Sequence, residues 1–282
     1  MTPIDKSISP LRFSVSTWSL HRTLGDYSVY GPDAEKSILE SVGKNGQLSL
    51  LELPARLAAF GISTLEICHF HLPSLDAGYL SELRATLEHE KIELFSLLVD
   101  AGDITHPQHA ERDLAWIRSW LGVAGQLGAK RSRVIAGKSE PTAENLQTSV
   151  HGLRQLADTA EGQGVRLMTE NWFGLLSQPT AIHTVFEQLE GRLGLCFDFG
   201  NWSGPTKYED LTSIAPYAES CHTKAHFSTN DELDSDDYIR CLDITRAAGF
   251  SGPYTLIYDG PNPDEWNGLS RERQIVAPYI HP

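Results

Sequence analysis

Three residues could share one piece of chemistry. Glu170 stands in the run RLMTEN, Asp198 in GLCFDF and His222 in SCHTK. Each run is short and β-rich, so each residue falls at or near the end of a strand. Two carboxylates and an imidazole form a hard-to-borderline ligand set for a single divalent cation, and Mn²⁺, Mg²⁺, Co²⁺ or Zn²⁺ would each be acceptable. An isolated strand-end Asp is more often a helix cap. Three such residues in order on successive strands favour a shared metal site over three unrelated caps.

Other polar and aromatic side chains fall at equivalent points. Trp18 and His21 follow the first strand, Glu66, His69 and His71 close the second, and Asp100 and Asp103 close the third. Lys138 and Glu140 follow the fourth, Asn171 the fifth and Asn201 the sixth. Lys224 and His226 close the seventh, and Asp259 ends the eighth.

An alternation of strands and helices must position these residues. β-like runs cover 13–18, 64–69, 93–100, 131–135, 166–171, 194–199, 220–224 and 254–259. Between them, helical stripes cover 48–60, 81–90, 110–127, 144–162, 180–189 and 237–248. Helix ends followed by a Gly turn, as in AAFGIST, EGQGVRL and AAGFSGPY, introduce several strands. Eight such units suit a closed (β/α)8 TIM barrel, which takes about 250 residues and carries its active site at the C-terminal ends of its strands. The rival doubly wound sheet needs a Gly-rich loop after the first strand, and FSVSTWSLHRTLG has none. With no linker or internal repeat, residues 1–282 are expected to form a single barrel domain. The polar segment 25–47 is expected to be a long first loop, a candidate lid.

Composition narrows the function. The chain has 282 residues and a formal net charge of −14, from 23 Lys+Arg against 37 Asp+Glu, which argues against a duplex-DNA binder. No run of about 18 apolar residues suggests a membrane span. The start MTPIDKSISPLRF has no basic region leading into an apolar stretch, and none of the four cysteines has CxxC spacing. A cytoplasmic protein with reduced cysteines is expected.

The runs GISTLEICHFH, VRLMTENW, LCFDFGNW, CHTKAHF and GFSGPYTLIYDG, in that order, resemble the xylose-isomerase-like TIM-barrel superfamily. This group of sugar isomerases and epimerases also includes endonuclease IV-type enzymes. The resemblance spans about residues 12–270 and rests on the order of the motifs. In the sugar-epimerase branch it implies one cation, Mn²⁺ foremost, held by Glu, Asp, His and Glu from four strands. Glu170 and Asn171 match an LxxEN-like pattern, and DFGN at 198–201 matches a DxGN-like one. His222 and Lys224 match the start of HxKD, where Ala225 replaces the acid and His226 is the fallback ligand. The last strand departs: Ile257 stands where the fourth ligand, a Glu, is expected. Asp259 lies two residues on, on the same strand face and about 6–7 Å further along.

The implied function is a divalent-metal-dependent sugar isomerase or epimerase, acting on a small polyhydroxy carbonyl compound through an enediolate. Glu170 is the expected base. Lys224 and Asp259 are the expected partners in catalysis, because the second Glu is missing. That gap favours a one-base reaction, either aldose–ketose isomerisation or elimination by a lyase or dehydratase on a keto-sugar or keto-polyol. Expected substrate contacts are Trp18, Glu66, His69, His71, Asn171, Trp172, Asn201, Trp202 and His226, with Trp172 and Trp202 forming an apolar wall. Against these roles, Glu66 could cap a helix, the aromatics could be core packing, and Lys224 could be a salt bridge inside the barrel. The acidic stretch Asp231, Glu232, Asp234, Asp236 and Asp237 reads as a solvated loop and helix start. The expected partner is a sugar or polyol, with no nucleic acid and no membrane; a homo-oligomer is left open. The rival readings are an endonuclease IV-type repair enzyme, which the charge disfavours, and a non-catalytic sugar-binding barrel that lost its fourth ligand.

Overall fold

The computed structural model describes residues 10–34 and 36–281. The strands are β1 (Arg12–Ser16), β2 (Thr64–Cys68), β3 (Glu93–Val99), β4 (Arg131–Val134), β5 (Arg166–Glu170), β6 (Gly194–Asp198), β7 (Ala218–Lys224) and β8 (Pro253–Ile257). They close in sequence order into a parallel barrel, β1 pairing with both β2 and β8. This is the expected TIM barrel. The α-helices are α1 (His21–Leu24), α2 (Leu53–Phe60), α3 (Ala77–His89), α4 (Ala110–Leu127), α5 (Ala143–Gly162), α6 (Pro179–Leu189), α7 (Lys207–Ile214), α8 (Ser235–Ala247) and α9 (Glu265–Ile280).

Strand alternation divides the side chains into two sets. Leu65, Leu167, Leu195, Phe197, Cys221 and Leu256 are almost wholly buried in the main apolar core. There they meet helix stripes such as Leu114, Ile117 and Leu121 of α4 and Val150, Leu153 and Leu156 of α5. Burying each Leu or Ile fully contributes roughly 1.5–3 kcal/mol. The alternate residues carry the polar chemistry. Register places Glu170 beside Cys196, Asp198 beside His222, and Lys224 beside Ile257. Four neighbouring strands therefore bring their functional residues to one sector of the barrel mouth.

The opposite end of the barrel is closed by charge pairs. Arg12 pairs with Glu93, while Arg131 and Arg166 share Glu219 at 3.3 and 2.8 Å. Arg12 and Arg131 also lie over the ring of Phe95 at 5.6 and 5.1 Å.

The expected Gly turns form as read: Gly61 (φ +78°) and Gly249 (φ +71°) end helices in the left-handed region, where a side chain is strained. Three helices escaped the sequence reading, the four-residue α1 among them. α7 is only eight residues long, with just Leu211 and Ile214 buried. α9 hides its stripe of Leu269, Val276 and Ile280 among polar residues and contains Pro278. Residues 265–280, after the eighth strand, form the last barrel helix.

The acidic stretch is also more structured than expected. Asp231 accepts from Arg271 at 2.9 Å and from Asn262 at 3.2 Å, Asp234 caps α8, and Asp237 binds Lys207 and Tyr208. The first loop is tied at its base, where Asp26 and Lys44 and then Gly43 and Asp26 exchange backbone hydrogen bonds. The reading of the first nine residues lies outside those described. Among the described residues, no helix is long and apolar enough to cross a membrane, and all four cysteines are free and buried.

Candidate active site

A cavity of about 400 Å³ opens at the C-terminal ends of the strands. Asp100, Arg133, Glu170, Asp198, Asn201, His222 and Lys224 line its polar side. Trp18, Phe70, Trp172, Phe173 and Ile257 line its apolar side, with Val29 of the first loop also on the wall. Phe173 adopts φ +57°, a conformation uncommon for a bulky residue, and its ring lies 4.1 Å from that of Trp172.

His222 is the hub. Its Nε2 lies 2.7 Å from Glu66 Oε2. An ionised carboxylate only accepts, so the imidazole donates from Nε2 and turns Nδ1 toward the cavity side. Nδ1 is 3.8 Å from both Glu170 Oε1 and Asp198 Oδ2. Burial disfavours the imidazolium, but Cys196, Glu66 and Glu170 around it outweigh that cost and raise its pKa well above the ordinary value.

The carboxylates are held in place. Asp198 Oδ1 accepts from the backbone N–H groups of Gly200 and Asn201, each at 2.7 Å, leaving Oδ2 toward His222. The Asn171 amide bridges the Asp198 backbone, accepting from its N–H at 2.8 Å and donating to its C=O at 3.0 Å. Glu170 Oε1 accepts from the Asn201 side chain at 2.7 Å, and Glu170 Oε2 lies 3.0 Å from Arg133 Nε. Arg133 also reaches Asp100 at 2.7 Å. Burial raises the pKa of Glu170 despite Arg133 and His222. At Asp100 burial pushes the same way, but Arg133 and His69 outweigh it and lower the pKa. At the rim, Lys224 Nζ lies 3.0 Å from Asp259. Burial disfavours the Lys224 ammonium, yet Asp198 and Asp259 win and raise its pKa.

Several expected substrate contacts need correction. Glu66 lies behind His222 and does not line the cavity. His69 and His71 are buried because residues 69–71 turn into a 3₁₀ helix at the strand end. His69 Nε2 is 2.8 Å from the Tyr30 carbonyl, and His71 Nδ1 is 2.8 Å from the Thr17 hydroxyl. Burial lowers the pKa of His71 to about 3. Asn171 is buried in its bond with Asp198, and Trp202 donates its indole N–H to the Leu176 carbonyl. His226 and Trp202 line a separate cavity of about 280 Å³, bounded also by Lys207 and Lys224. Asp259 does not line the main cavity; its carboxylate is engaged by Lys224. Trp18, Trp172, Asn201 and Lys224 do line it, with Glu170, Asp198 and His222.

Arg133 and Cys196 were missed. Arg133 alternates with Arg131 in RSRVI, so the period-2 pattern alone could have placed it inward. Cys196 lies two residues before Asp198 on the same face of β6. Its sulfur and one ligand atom each of Glu170 and His222 lie within 4.8 Å of one another. Burial pushes the Cys196 thiol up to about 11.

The donor set fits a divalent cation. Glu66, Asp100, Glu170 and Asp198 are four buried or nearly buried carboxylates meeting the Arg133 guanidinium and the His222 ring, so a cation that displaced the His222 proton would supply positive charge the cluster needs. Glu66 Oε1 has no hydrogen-bond partner among the described residues. A histidine that donates one ring N–H to a carboxylate while facing two others with its second nitrogen has the arrangement of a metal-ligating imidazole. Bonds of about 2.1 Å in a tetrahedral site place ligand atoms about 3.4 Å apart. The two 3.8 Å pairs would close by about 0.4 Å, whereas Asp198 stands outside the Glu170, Cys196 and His222 group whose donor atoms lie within 4.8 Å of one another, so its carboxylate would have to move further.

Known structures with similar folds cover nearly the whole chain. A xylose isomerase-like TIM barrel protein from Mycobacterium smegmatis, solved in complex with magnesium, has a TM-score of 0.66 at 14% identity over 95% of this chain and 97% of its own. D-psicose 3-epimerase with D-tagatose from Clostridium cellulolyticum H10 has a TM-score of 0.67 at 14% identity, over 96% and 98%. The probable 3-DHS dehydratase involved in petrobactin synthesis from Bacillus anthracis has a TM-score of 0.66 at 13% identity, over 94% and 98%. At these identities the likeness is one of fold. No curated protein sequence matches the chain. Residues 54–274 match the xylose isomerase-like TIM barrel family, and the chain belongs to that family.

Proposed function

We propose that this protein is a divalent-metal-dependent enzyme that moves a proton on carbon beside a carbonyl in a small polyhydroxy compound, an isomerase of the aldose–ketose or epimerase type. The observation that carries the reading is His222 Nδ1 facing both Glu170 and Asp198 at 3.8 Å, in the wall of a cavity of about 400 Å³. Glu170, Asp198 and His222 would hold the cation. A cation there would polarise the carbonyl and offset negative charge as the neighbouring C–H proton leaves.

Glu170 is the base in this reading. Burial raises its proton affinity, and Arg133 and Asn201 fix the direction of its carboxylate. Lys224, held by Asp259, donates to a substrate oxygen at the mouth. Trp18 and Trp172 pack on the C–H face of the substrate and exclude water. Ile257 supports a second reading. It leaves the cavity without a carboxylate on β8, and Lys224 beside it could protonate a departing hydroxyl, which is the arrangement of a lyase. A single barrel domain in the cytoplasm is the accompanying proposal.

The test has two parts. Metal content of purified wild type and Glu170→Ala is measured first, with about one equivalent expected in the wild type and a clear loss in the variant. Deuterium exchange into ketoses and keto-polyols with Mn²⁺ follows. Negligible metal in both proteins, or exchange that survives Glu170→Ala, would overturn the reading.

A further inference from the structure

The absence of CxxC spacing argues against a zinc–thiolate site, yet one cysteine stands among the expected ligands. Cys196 Sγ, Glu170 and His222 each present a ligand atom within 4.8 Å of the other two, and all three residues are buried. Register explains the convergence. Glu170 on β5 is paired with Cys196, and His222 on β7 is paired with Asp198, so two inward residues of β6 flank the same point from below and above. On β8, Ile257 supplies no ligand.

We infer that Cys196 is the fourth ligand of this site, and that the resulting Glu170, Asp198, His222 and Cys196 set selects Zn²⁺ or Co²⁺ over Mn²⁺ and Mg²⁺. This rests on the metal-binding reading above and concerns which cation that site prefers. A thiolate is a soft donor, suited to zinc and cobalt and poorly matched to hard, oxygen-loving magnesium and manganese. Charge supports the same set. Two carboxylates and a thiolate leave one negative charge over a dication, and Arg133 lies 3.0 Å from Glu170 to offset it. Coordination forms the metal–sulfur bond and releases the thiol proton to solvent. The competing account is packing alone, since Cys196 also clusters with Phe95 and Met168.

The test loads the metal-free full chain with Co²⁺ and records its absorption spectrum. A thiolate ligand gives a near-ultraviolet sulfur-to-cobalt charge-transfer band in addition to the visible d–d bands. Both are expected in the wild type. Cys196→Ser should keep the visible bands, lose the near-ultraviolet band, and bind Zn²⁺ about 100-fold more weakly while Mn²⁺ affinity changes less than about tenfold. If the variant does not fold, X-ray absorption of the zinc-loaded wild type decides, with one sulfur neighbour expected at about 2.3 Å. Visible bands without the charge-transfer band, or a zinc shell of nitrogen and oxygen only, overturn the thiolate ligand and leave the metal reading standing. A charge-transfer band that survives in Cys196→Ser overturns it too. No cobalt binding at all overturns both.

Discussion

Replacing Arg133 with Met tests the electrostatic account of the site most directly. Arg133 lies 2.7 Å from Asp100 and 3.0 Å from Glu170, with a side chain only 4% exposed. At an effective dielectric of about 20, each contact is worth on the order of 5 kcal/mol of attraction before desolvation is subtracted. Removing one partner of a buried pair typically costs about 3–5 kcal/mol, because the charge left behind has no compensation. The pH dependence carries the sign. In the wild type Arg133 helps hold the Asp100 pKa below its ordinary value, and burial already raises that of Glu170. In Arg133→Met burial acts on both carboxylates unopposed by the guanidinium, so both folded-state pKa values move up. The folded state then binds more protons than the unfolded one, and stability falls as pH rises from the unfolded value through the folded one. Urea denaturation should show a loss of about 3–5 kcal/mol at pH 8. The loss at pH 5 should be smaller by at least about 1 kcal/mol. A loss below about 1 kcal/mol at pH 8, or an equal loss at both pH values, would refute the reasoning and leave only a packing effect.

Three further outcomes are expected. Glu66→Leu removes the carboxylate that fixes the His222 ring and should weaken divalent-cation affinity by about 10–100-fold in calorimetric titration. Glu272 is wholly buried, neither of its carboxylate oxygens has a hydrogen-bond partner among the described residues, and burial raises its pKa well above the ordinary value. Its folded form therefore keeps a proton that the unfolded chain releases as pH rises, so Glu272→Leu should stabilise by about 1–3 kcal/mol at pH 8 and by less at pH 5 in denaturation curves. A Cβ on Gly268 would stand 2.3 Å from the Tyr258 ring, so Gly268→Ala should lower stability by about 1–3 kcal/mol in thermal unfolding as α9 is forced from the barrel.

The strands of the barrel were legible because each signal is local. A period-2 run bounded by a Gly turn needs no knowledge of its neighbours. Glu170, Asp198 and His222 were legible for the same reason, as polar residues at the ends of such runs. The same alternation points Arg133 inward, but its role shows only once Asp100 and Glu170 lie beside it. His69 and His71 misled because a 3₁₀ turn rotates them from the strand-end direction into Tyr30 and Thr17. α9 failed as a pattern because Gly268, Pro278 and the run RER interrupt its apolar stripe, and packing against β8 decides its fate.

The charge pairs at the far end of the barrel have a kinetic consequence. Arg12, Glu93, Arg131, Arg166 and Glu219 tie the strands together there, and none of them lines the cavity. Among the described residues these pairs fill that end of the barrel, so a molecule in the cavity would enter and leave at the C-terminal ends of the strands. Entry and exit are then mutually exclusive events at one doorway. Product compounds should accordingly inhibit in competition with substrate, and a ligand too wide to pass the mouth would cap the barrel from outside.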